Sequence, residues 1–394
     1  MKIGIEAQRI FRKKKHGMDM VALELIRNLQ QADTTNEYFI FVKPDEDSSV
    51  IKETHNFKIV PLKGGAYPLW EQVALPRAAE KYGCDILHCT SNTAPLFCKV
   101  PIVVTLHDII YMESSAWSII TGKGSNYQKF GNIYRRIVVP AIMKKAKKII
   151  TVSDFEKKCI GDFFKMQSDN RLVTVYNGVS NYFKPVTDAA VLKAVKEKYK
   201  LPDEFFFFLG NTHPKKNTPG TLKAFSDFLK DTGSPVKLVM IDYDKAELEK
   251  ILSEIGDPEL IDKIVLTGYI NNQDLPAIYS QCKLFLYPSL RESFGIPIIE
   301  AMASGAPVIT SQTSSMPEVS GNAAVLVNPF ETGEITEAMK GVYNSPLVRE
   351  KLITSGLVQA AKFSWKAMAA DVLDIYNEVA RQQHLIKLQF SVYN

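Results

Sequence analysis

Two acidic side chains accompany a segment that could bind an anion. Glu292 lies in a loop between a predicted strand and a predicted helix, and Glu300 lies eight positions further on. The start of that helix leaves the backbone amides of Phe294, Gly295 and Ile296 available, and such amides bind phosphate groups. Two carboxylates would repel a phosphate, so they suit neutral hydroxyl groups beside it. The alternative is a capped helix with two solvated glutamates.

A pair of lysines follows another predicted strand, Phe205–Leu209. The loop after this strand begins with Gly210, which permits a tight turn, and contains Lys215 and Lys216. Two ammonium groups at the carboxyl end of a strand could neutralise a diphosphate. Taken alone, the loop fits two solvated lysines equally well.

Two weaker signals lie in the first half of the chain. His107 follows the predicted strand Ile102–Leu106 and could exchange hydrogen bonds with a substrate, although a structural histidine is the alternative. Gly17 is the only glycine within Arg9–Met20, where the first strand turns into the first helix, and it could let a ligand approach closely. The glycine fingerprint of nicotinamide dehydrogenases and the Gly-Lys-Ser/Thr phosphate loop are both absent from the sequence.

Two Asp-x-Asp triplets raise the question of a metal ion, because carboxylates are the ligands that Mg²⁺ prefers. The triplet Asp45–Asp47 lies in a polar loop. The triplet Asp242–Asp244 precedes the predicted helix Lys245–Leu252, so helix capping accounts for it. We therefore expect no metal ion and no organic cofactor.

The composition is typical of a soluble enzyme with two domains. The chain has 394 residues, of which 46% are hydrophobic and 23% are charged, and this length is too great for one ordinary core. Five cysteines without a Cys-x-x-Cys pair favour reduced thiols. Neither a signal peptide nor a membrane-spanning run is recognisable, so we expect a cytoplasmic protein. A net charge of +5 does not indicate nucleic-acid binding.

Basic residues form two local clusters, Arg12–His16 and the segment 135–148. The first interpretation is a solvated loop and a solvated helix face. The second is an anionic partner, either the inner face of a membrane in peripheral contact with the protein or a lipid-phosphate acceptor.

Strands and helices are predicted to alternate through the chain, which favours parallel, doubly wound α/β sheets. The pattern pauses near 182–188 and then begins again, so we expect two Rossmann-like domains that face each other across a cleft. Ligands of such sheets bind at the carboxyl ends of the strands. The predicted strands are Lys2–Ala7, Tyr38–Val42, Asp85–Cys89, Ile102–Leu106, Ile149–Val152, Leu172–Val175, Phe205–Leu209, Lys237–Ile241, Lys263–Thr267, Leu284–Tyr287 and Pro307–Thr310. The predicted helices are Val21–Leu29, Ala189–Tyr199, Thr218–Lys230, Lys245–Leu252 and Trp365–Gln383.

These motifs together resemble the retaining glycosyltransferases of family four (glycosyltransferase group 1), which have the GT-B fold. The most specific marker is the family's Glu-x7-Glu motif, matched by Glu292 and Glu300 within a Pro-Ser-x-x-Glu-x-Phe-Gly-x-Pro context. The segments Thr151–Ser153, Tyr176–Val179 and Val319–Ala324 also resemble family landmarks.

The resemblance implies a role for each matching residue in binding a nucleotide-diphosphate sugar. Lys215 and Lys216 would bind the diphosphate, with Gly210 in the same loop and Gly17 nearby. Glu300 would bind the ribose hydroxyls, and Gly268 and Tyr269 would border the base. Catalysis would involve His107 and Glu292 at the transferred sugar, with Glu292 helped by the amides of Phe294, Gly295 and Ile296.

The resemblance also implies a division of labour between the domains. The acceptor-binding domain would cover 1–183 together with the C-terminal helix 376–394, and the donor-binding domain would cover 184–375. Two departures from the family pattern concern the donor loop. Asn211 stands where many members have arginine, and Lys215 replaces another common arginine, which loses the bidentate fork.

The expected reaction is transfer of a hexose, with mannose favoured, to a glycan or a lipid-linked glycan in cell-surface polysaccharide synthesis. GDP-mannose is the favoured donor and UDP-glucose the alternative. The other functions left open are a sugar-nucleotide epimerase or phosphorylase on the same fold and a non-enzymatic, two-lobed sugar-binding protein.

Overall fold

The computed structural model describes residues 1–113 and 126–392. The chain divides into two compact units. The first consists of Met1–Asn177 and Trp365–Asn394, and the second consists of Gly178–Ser364.

The first unit contains a seven-stranded sheet whose strands pair in parallel in the order β3-β2-β1-β4-β5-β6-β7. The strands of this sheet are β1 Lys2–Glu6, β2 Glu37–Val42, β3 Phe57–Pro61, β4 Ile86–Cys89, β5 Ile102–Leu106, β6 Lys148–Thr151 and β7 Leu172–Thr174. The helices of the unit's first segment are α1 Gly17–Ala32, α2 Tyr67–Leu69, α3 Leu75–Lys81, α4 Ile110–Glu113, α5 Asn126–Lys145 and α6 Asp154–Phe164. A π-helical turn, Trp70–Ala74, joins α2 to α3, and a short 3₁₀ helix covers Ser48–Val50. Every residue of β5 is buried, because helices cover both faces of a central parallel strand.

The second unit contains a six-stranded parallel sheet in the order β10-β9-β8-β11-β12-β13. Its strands are β8 Phe205–Phe208, β9 Lys237–Met240, β10 Ile264–Leu266, β11 Leu284–Tyr287, β12 Val308–Ser311 and β13 Val325–Val327. Its helices are α7 Ala189–Tyr199, α8 Thr218–Thr232, α9 Lys245–Glu254, α10 Leu275–Gln281, α11 Ile296–Ala303, α12 Met316–Ser320, α13 Thr332–Asn344 and α14 Pro346–Ala360. Three 3₁₀ helices cover Pro214–Lys216, Pro258–Lys263 and Asn272–Asp274. The predicted α/β class with two parallel sheets is therefore confirmed.

Two edge strands, β3 and β13, were not predicted from the sequence. β3 carries one exposed lysine and ends at Pro61, and β13 has three residues, one of which is exposed. Edge strands pack on fewer neighbours, so their sequences lack the continuous apolar run of the central strands.

The last helix, α15 Trp365–Val392, belongs to the first unit and packs against α1. Its Tyr376 is fully buried, and the hydroxyl lies 2.6 Å from Nδ1 of His88 on β4. Nε2 of His88 lies 2.8 Å from the hydroxyl of Thr105. Burial lowers the pKa of His88 to about 3, so the ring is neutral near pH 7.

We predict that Tyr376→Phe destabilises the protein by about 1–3 kcal/mol, because the substitution leaves a buried ring nitrogen of His88 without a partner. Urea unfolding of both proteins measures this difference. Tyr182→Phe is the control, because Tyr182 is 42% exposed, and it should change stability by less than about 0.5 kcal/mol. Equal losses for both variants would contradict the role of the His88 contact.

The boundaries between the two units differ from the domain boundaries predicted from the sequence. The prediction divides the chain after 183 and after 375, whereas the compact units change after Asn177 and after Ser364. Phe183 packs on Tyr279 of the second unit, with 6.3 Å between ring centroids, which draws the segment 178–183 into that unit. The whole of α15 lies in the first unit, where it contacts α1 and β4.

None of the helices in the described ranges combines the length with the apolar content that a membrane crossing requires.

Candidate functional site

The order of strands in the second sheet reverses direction beside β8. From β8 the chain continues to β9 on one side, while β11 pairs with β8 on the other side. Ligands of open α/β sheets bind at such a reversal, outside the carboxyl ends of the two strands. The loops that follow β8 and β11 carry the predicted lysines and Glu292, so the topology brings both motifs to one place.

An ion pair joins the two loops. Nζ of Lys216 lies 2.6 Å from Oε1 of Glu292, and Nζ of Lys215 lies 3.6 Å from Oε2 of the same carboxylate. The Lys216 ammonium also donates to the hydroxyl of Tyr287, at 2.7 Å, and lies 4.5 Å from the centre of that ring. The trio of two lysines and one glutamate therefore carries one surplus positive charge.

The electrostatic balance keeps Glu292 ionised. Only 9% of its side chain is exposed, and burial on its own raises the pKa of a carboxyl group. The ammonium groups of Lys216 and Lys215 outweigh that effect, so the pKa of Glu292 lies below its usual value. An ammonium has three N–H donors, and two of those of Lys216 are occupied. The third donor can bind an anionic ligand.

Backbone contacts hold the two loops against each other. The amide of Leu290 donates to the carbonyl of Lys215 at 2.7 Å. Asn217, in the left-handed conformation with φ 54°, donates to the carbonyls of Pro288 at 3.1 Å and Pro329 at 2.7 Å. These hydrogen bonds fix the position of the loop that carries the lysines relative to the loop that carries Glu292.

Three residues of the site were not predicted from the sequence. Tyr287, at the end of β11, accepts the bond from Lys216. Ser314 accepts from the amide of Glu292 at 3.0 Å, and the hydroxyl of Ser315 donates to the carbonyls of Glu292 and Phe294 at 2.9 and 3.0 Å. In the sequence these two serines belong to the hydroxyl run Thr313–Ser315, one residue beyond β12, and nothing in that run indicates which groups they contact.

The predicted helix start is present. Gly295 directly precedes α11, has φ 99°, and provides no side-chain cap for the helix. A positive φ favours glycine at this position. Pro297 has no N–H, and the amide of Ile298 donates to the carbonyl of Gly295 at 2.9 Å. Among the described residues, the amides of Gly295 and Ile296 have no acceptor, so these two amides can bind an anion. Phe294, just before this turn, is buried and packs edge-on against Phe363 at 5.6 Å between ring centroids.

Glu300 lies within α11 and is half-buried. Burial raises its pKa to about 7. Within the described part of the chain, its carboxylate makes no hydrogen bond or ion pair with another residue. A carboxylate in that state suits the hydroxyl groups of a ligand, which would supply the missing donors.

We predict that Glu300 makes both stability and ligand binding depend on pH. The unfolded carboxyl titrates near 4.5 and the folded one near 7, so the unfolded state loses its proton first and stability falls as pH rises between these values. Glu300→Gln should remove this fall and gain about 1–3 kcal/mol at pH 8. Urea unfolding at pH 5 and pH 8 measures the effect, with Glu334→Gln as an exposed control on another helix.

The same substitution should weaken nucleotide binding at pH 8 more than at pH 6, because only the ionised carboxylate accepts two strong hydrogen bonds. A variant whose nucleotide affinity and pH profile match those of the wild type would contradict the hydroxyl-binding role.

The predicted base-bordering pair follows β10. Gly268 has φ 68°, and its carbonyl accepts from the amide of Asp242 at 3.1 Å. Tyr269 is 65% exposed, so much of its side chain is accessible to solvent.

Gly210 has a packing requirement of its own. A Cβ atom at this position would lie 2.3 Å from the ring of Phe208, so any other residue would collide. Asn211, which replaces the family's arginine, accepts from the amide of His213 at 2.9 Å and shapes the turn before Lys215.

The two remaining predicted residues lie in the first unit. His107 is buried, its amide donates to Asn92 at 2.6 Å, and its Nε2 donates to the carbonyl of Thr90 at 2.9 Å. Burial lowers the pKa of His107, so the ring is neutral near pH 7. Gly17 begins α1, and a Cβ atom there would meet no atom within 4 Å. The described neighbours leave that space open for a ligand.

The Asp-x-Asp triplets have structural roles. Asp244 caps α9 by accepting from the amide of Glu247 at 2.9 Å. Asp47 pairs with Lys15. Within 1–113 and 126–392 there is no cluster of three or more His, Cys, Asp or Glu residues that could hold a metal ion.

Two family models match the chain, one in each part. The model for Glycosyltransferase Family 4 matches residues 16–181, and the model for Glycosyl transferases group 1 matches residues 193–359.

Characterised relatives are bacterial sugar transferases. The chain is 33% identical to the O-antigen chain mannosyltransferase B of Escherichia coli, over 59% of this chain and 61% of that protein. It is 31% identical to the serotype-specific mannosyltransferase WbdA of Escherichia coli, over 59% of this chain and 29% of that protein. It is 28% identical to the O-antigen chain mannosyltransferase RfbU of Salmonella typhimurium, over 78% of each. The chain thus spans less than two thirds of the length of the first two relatives.

Solved structures share the fold. Sucrose-phosphate synthase from Thermosynechococcus elongatus superposes with a TM-score of 0.73 at 19% identity, over 96% of this chain and 98% of that one. HepE of Anabaena, solved with UDP and glucose, gives 0.72 at 16% identity, over 96% and 100%. The resemblance seen in the sequence is confirmed by the family models. The chain therefore belongs to the family-four glycosyltransferases of group 1.

Proposed function

We propose that the protein is a retaining glycosyltransferase that moves a hexose from a nucleotide-diphosphate sugar to a glycan or lipid-linked glycan. The observation that carries this proposal is the contact between Lys216 and Glu292 at the carboxyl ends of β8 and β11. It places a cation with a free donor in the same loop system as a carboxylate and an uncapped helix start.

The donor would be held by two kinds of group: N–H donors that bind its diphosphate and carboxylates that bind its hydroxyl groups. The free N–H of Lys216 and the amides of Gly295 and Ile296 bind the diphosphate. Glu300 accepts bonds from the ribose hydroxyls, and Glu292 accepts bonds from hydroxyls of the hexose. The exposed ring of Tyr269 offers a surface for the base.

Transfer breaks the bond between the anomeric carbon and the diphosphate, and it forms a bond from that carbon to the acceptor oxygen. Negative charge grows on the leaving diphosphate, where Lys216 and the helix amides stabilise it without a metal ion. The acceptor hydroxyl passes its proton to the leaving phosphate oxygen on the same face of the sugar, which retains the anomeric configuration. The family resemblance assigns His107 to the transferred hexose, and its neutral ring suits a hydrogen bond to a hydroxyl.

Mannose is the favoured sugar because the relatives named above are mannosyltransferases. GDP-mannose is accordingly the favoured donor. UDP-glucose is the alternative, because a solved neighbour, HepE, binds it. The O-antigen relatives support a growing surface glycan on a lipid carrier as the acceptor, with the protein in the cytoplasm or at the inner membrane face.

A donor panel tests the proposal. The protein is incubated with GDP-mannose or UDP-glucose, with and without a lipid-linked glycan, and the products are analysed by NMR. We expect hexose on the acceptor, in the donor's anomeric configuration, only when both substrates are present. Conversion of the free nucleotide sugar would instead indicate an epimerase, and its cleavage by orthophosphate would indicate a phosphorylase. Binding of sugars without any conversion would indicate a binding protein.

A further inference from the structure

A cavity of about 340 Å³ lies in the first unit beyond the carboxyl ends of β1, β2 and β3. Small-molecule sites range from about 300 to 1,000 Å³, so this cavity suits one compact ligand rather than a long glycan. Its walls combine cationic and aromatic side chains. The cationic ones are Arg9, Arg12 and Lys43, and the aromatic ones are Tyr67, Phe130 and Tyr134.

The cavity has surplus positive charge. Arg9 pairs with Asp19 at 3.1 Å. Within the described residues, the side chains of Arg12 and Lys43 make no hydrogen bond or ion pair. The acidic residue of the lining is Asp45, whose carboxylate accepts from the amide of Glu46 at 2.8 Å. Two cations therefore remain available to an anionic ligand.

Two lysines of the surrounding basic cluster, Arg12–His16, already pair with acidic residues. Lys13 lies 3.7 Å from Glu46, and Lys15 pairs with Asp47 and donates to the carbonyl of Arg12 at 2.9 Å. These contacts leave Arg12, which is half-buried, as the member of the cluster that faces the cavity. A pocket for one anionic group fits this arrangement better than a flat surface for a membrane.

The aromatic walls are held in place by a buried carboxylate. Glu71 is 1% exposed and accepts from the hydroxyls of Tyr67, at 2.7 Å, and of Tyr134. It lies in the π-helical turn Trp70–Ala74, a feature frequent at functional sites. The rings of Tyr67 and Tyr134 meet edge to face, 5.9 Å apart. Phe130 is 56% exposed, so its ring can contact a ligand.

We propose that this cavity binds the phosphate-bearing end of the acceptor, namely a sugar attached to a phosphate or diphosphate. Arg12 and Lys43 bind the phosphate oxygens, and the rings of Phe130 and Tyr134 contact the apolar face of the sugar. This inference rests on the proposed transferase function, because it identifies the ligand as the acceptor. Either a lipid-linked sugar diphosphate or a soluble sugar phosphate would supply this chemistry.

Calorimetric titration of the full chain tests the site with four probes: mannose 1-phosphate, mannose linked to farnesyl diphosphate, methyl mannoside and inorganic phosphate. We expect Arg12→Gln to weaken binding of both phosphorylated sugars at least tenfold. Lys13→Gln is the matched control, with the same change of charge in the same loop, and should stay within twofold of the wild type. Methyl mannoside should bind to neither protein measurably.

Phe130→Ala provides a second test that involves no change of charge. It should weaken mannose 1-phosphate at least fivefold and leave inorganic phosphate unchanged. Binding of the phosphorylated sugars that is the same in the wild type and Arg12→Gln would overturn the proposal. A preference of tenfold or more for the farnesyl probe identifies a lipid-linked ligand, and equal affinities identify a soluble one.

Titration with GDP and UDP separates this inference from the proposed function. If a nucleotide binds normally to the wild type and to Arg12→Gln while the phosphorylated sugars ignore the substitution, only the cavity assignment fails. If neither nucleotide binds to the wild type, the proposed function fails, whatever the cavity binds. Thermal unfolding of each variant, with a midpoint within about 2 °C of the wild type, establishes that the fold is intact.

Discussion

Replacement of Lys216 by methionine is expected to lower the transfer rate by about 10²–10³-fold, the usual cost of removing one donor to a developing anion. The lysine is the group of the site best placed to stabilise the leaving diphosphate, because its third N–H is unoccupied and its position is fixed by Tyr287 and Glu292. Single-turnover transfer with saturating donor measures the chemical step directly.

The control for this prediction is Lys230→Met. Lys230 lies on α8, pairs with Asp257 at 2.9 Å, and is 60% exposed. This substitution removes the same charge from the same unit, at a position outside the loops that follow β8 and β11. Its transfer rate should stay within twofold of the wild type. A Lys216→Met enzyme that retained more than a tenth of the wild-type rate would contradict the assignment.

Replacement of Glu292 by glutamine is expected to have the second largest effect, a loss of at least tenfold in transfer. The amide keeps the size of the side chain but removes the negative charge, so the Lys216 ammonium loses its partner in a site that is 14% exposed at the lysine. Removing one partner from a buried pair costs about 3–5 kcal/mol, and partial exposure here lowers the expected loss to about 1–3 kcal/mol. Urea unfolding and steady-state kinetics measure the two effects separately.

The double variant Lys216→Met, Glu292→Gln distinguishes a structural role from a functional one. The buried Lys216 ammonium is then absent, and the Lys215 ammonium, 31% exposed, can be hydrated, so we expect the double variant to recover at least half of the stability lost in Glu292→Gln. Its transfer rate should remain as low as that of Lys216→Met. Recovery of transfer together with stability would show that the pair serves the fold alone.

The proximity of the two main motifs of the candidate site could be predicted because the fold class determines where they lie. Lys216 and Glu292 both follow apolar strands, and parallel strands end at one edge of a sheet, so the two motifs had to be close. The start of α11 could also be predicted, because Gly295 and Pro297 each have a specific backbone preference.

The supporting residues could not be predicted in the same way. Tyr287 reads as the last apolar residue of a strand, and its hydroxyl acquires a role only because Lys216 reaches it from another loop. Ser314 and Ser315 fasten the Glu292 loop from a distance of 22 and 23 positions. Such contacts depend on the packing of three loops, which no local pattern records.

The cavity in the first unit shows the same limit. The basic cluster was visible in the sequence, but the pairing of Lys13 and Lys15 with acidic residues of another loop was not. Only the structure separates Arg12 from its neighbours. Likewise, Gly210 appeared suited to a tight turn, whereas the ring of Phe208 excludes any side chain there.

The measurement that tests the central claim most directly compares nucleotides with one and two phosphates. GDP and GMP, and UDP and UMP, are titrated calorimetrically into the wild type and into Lys216→Met. We predict that the wild type binds one of the diphosphates at least tenfold more tightly than its monophosphate, and that the variant loses this preference while still binding the nucleoside. An unchanged preference in the variant would show that Lys216 does not bind the second phosphate and would contradict the account.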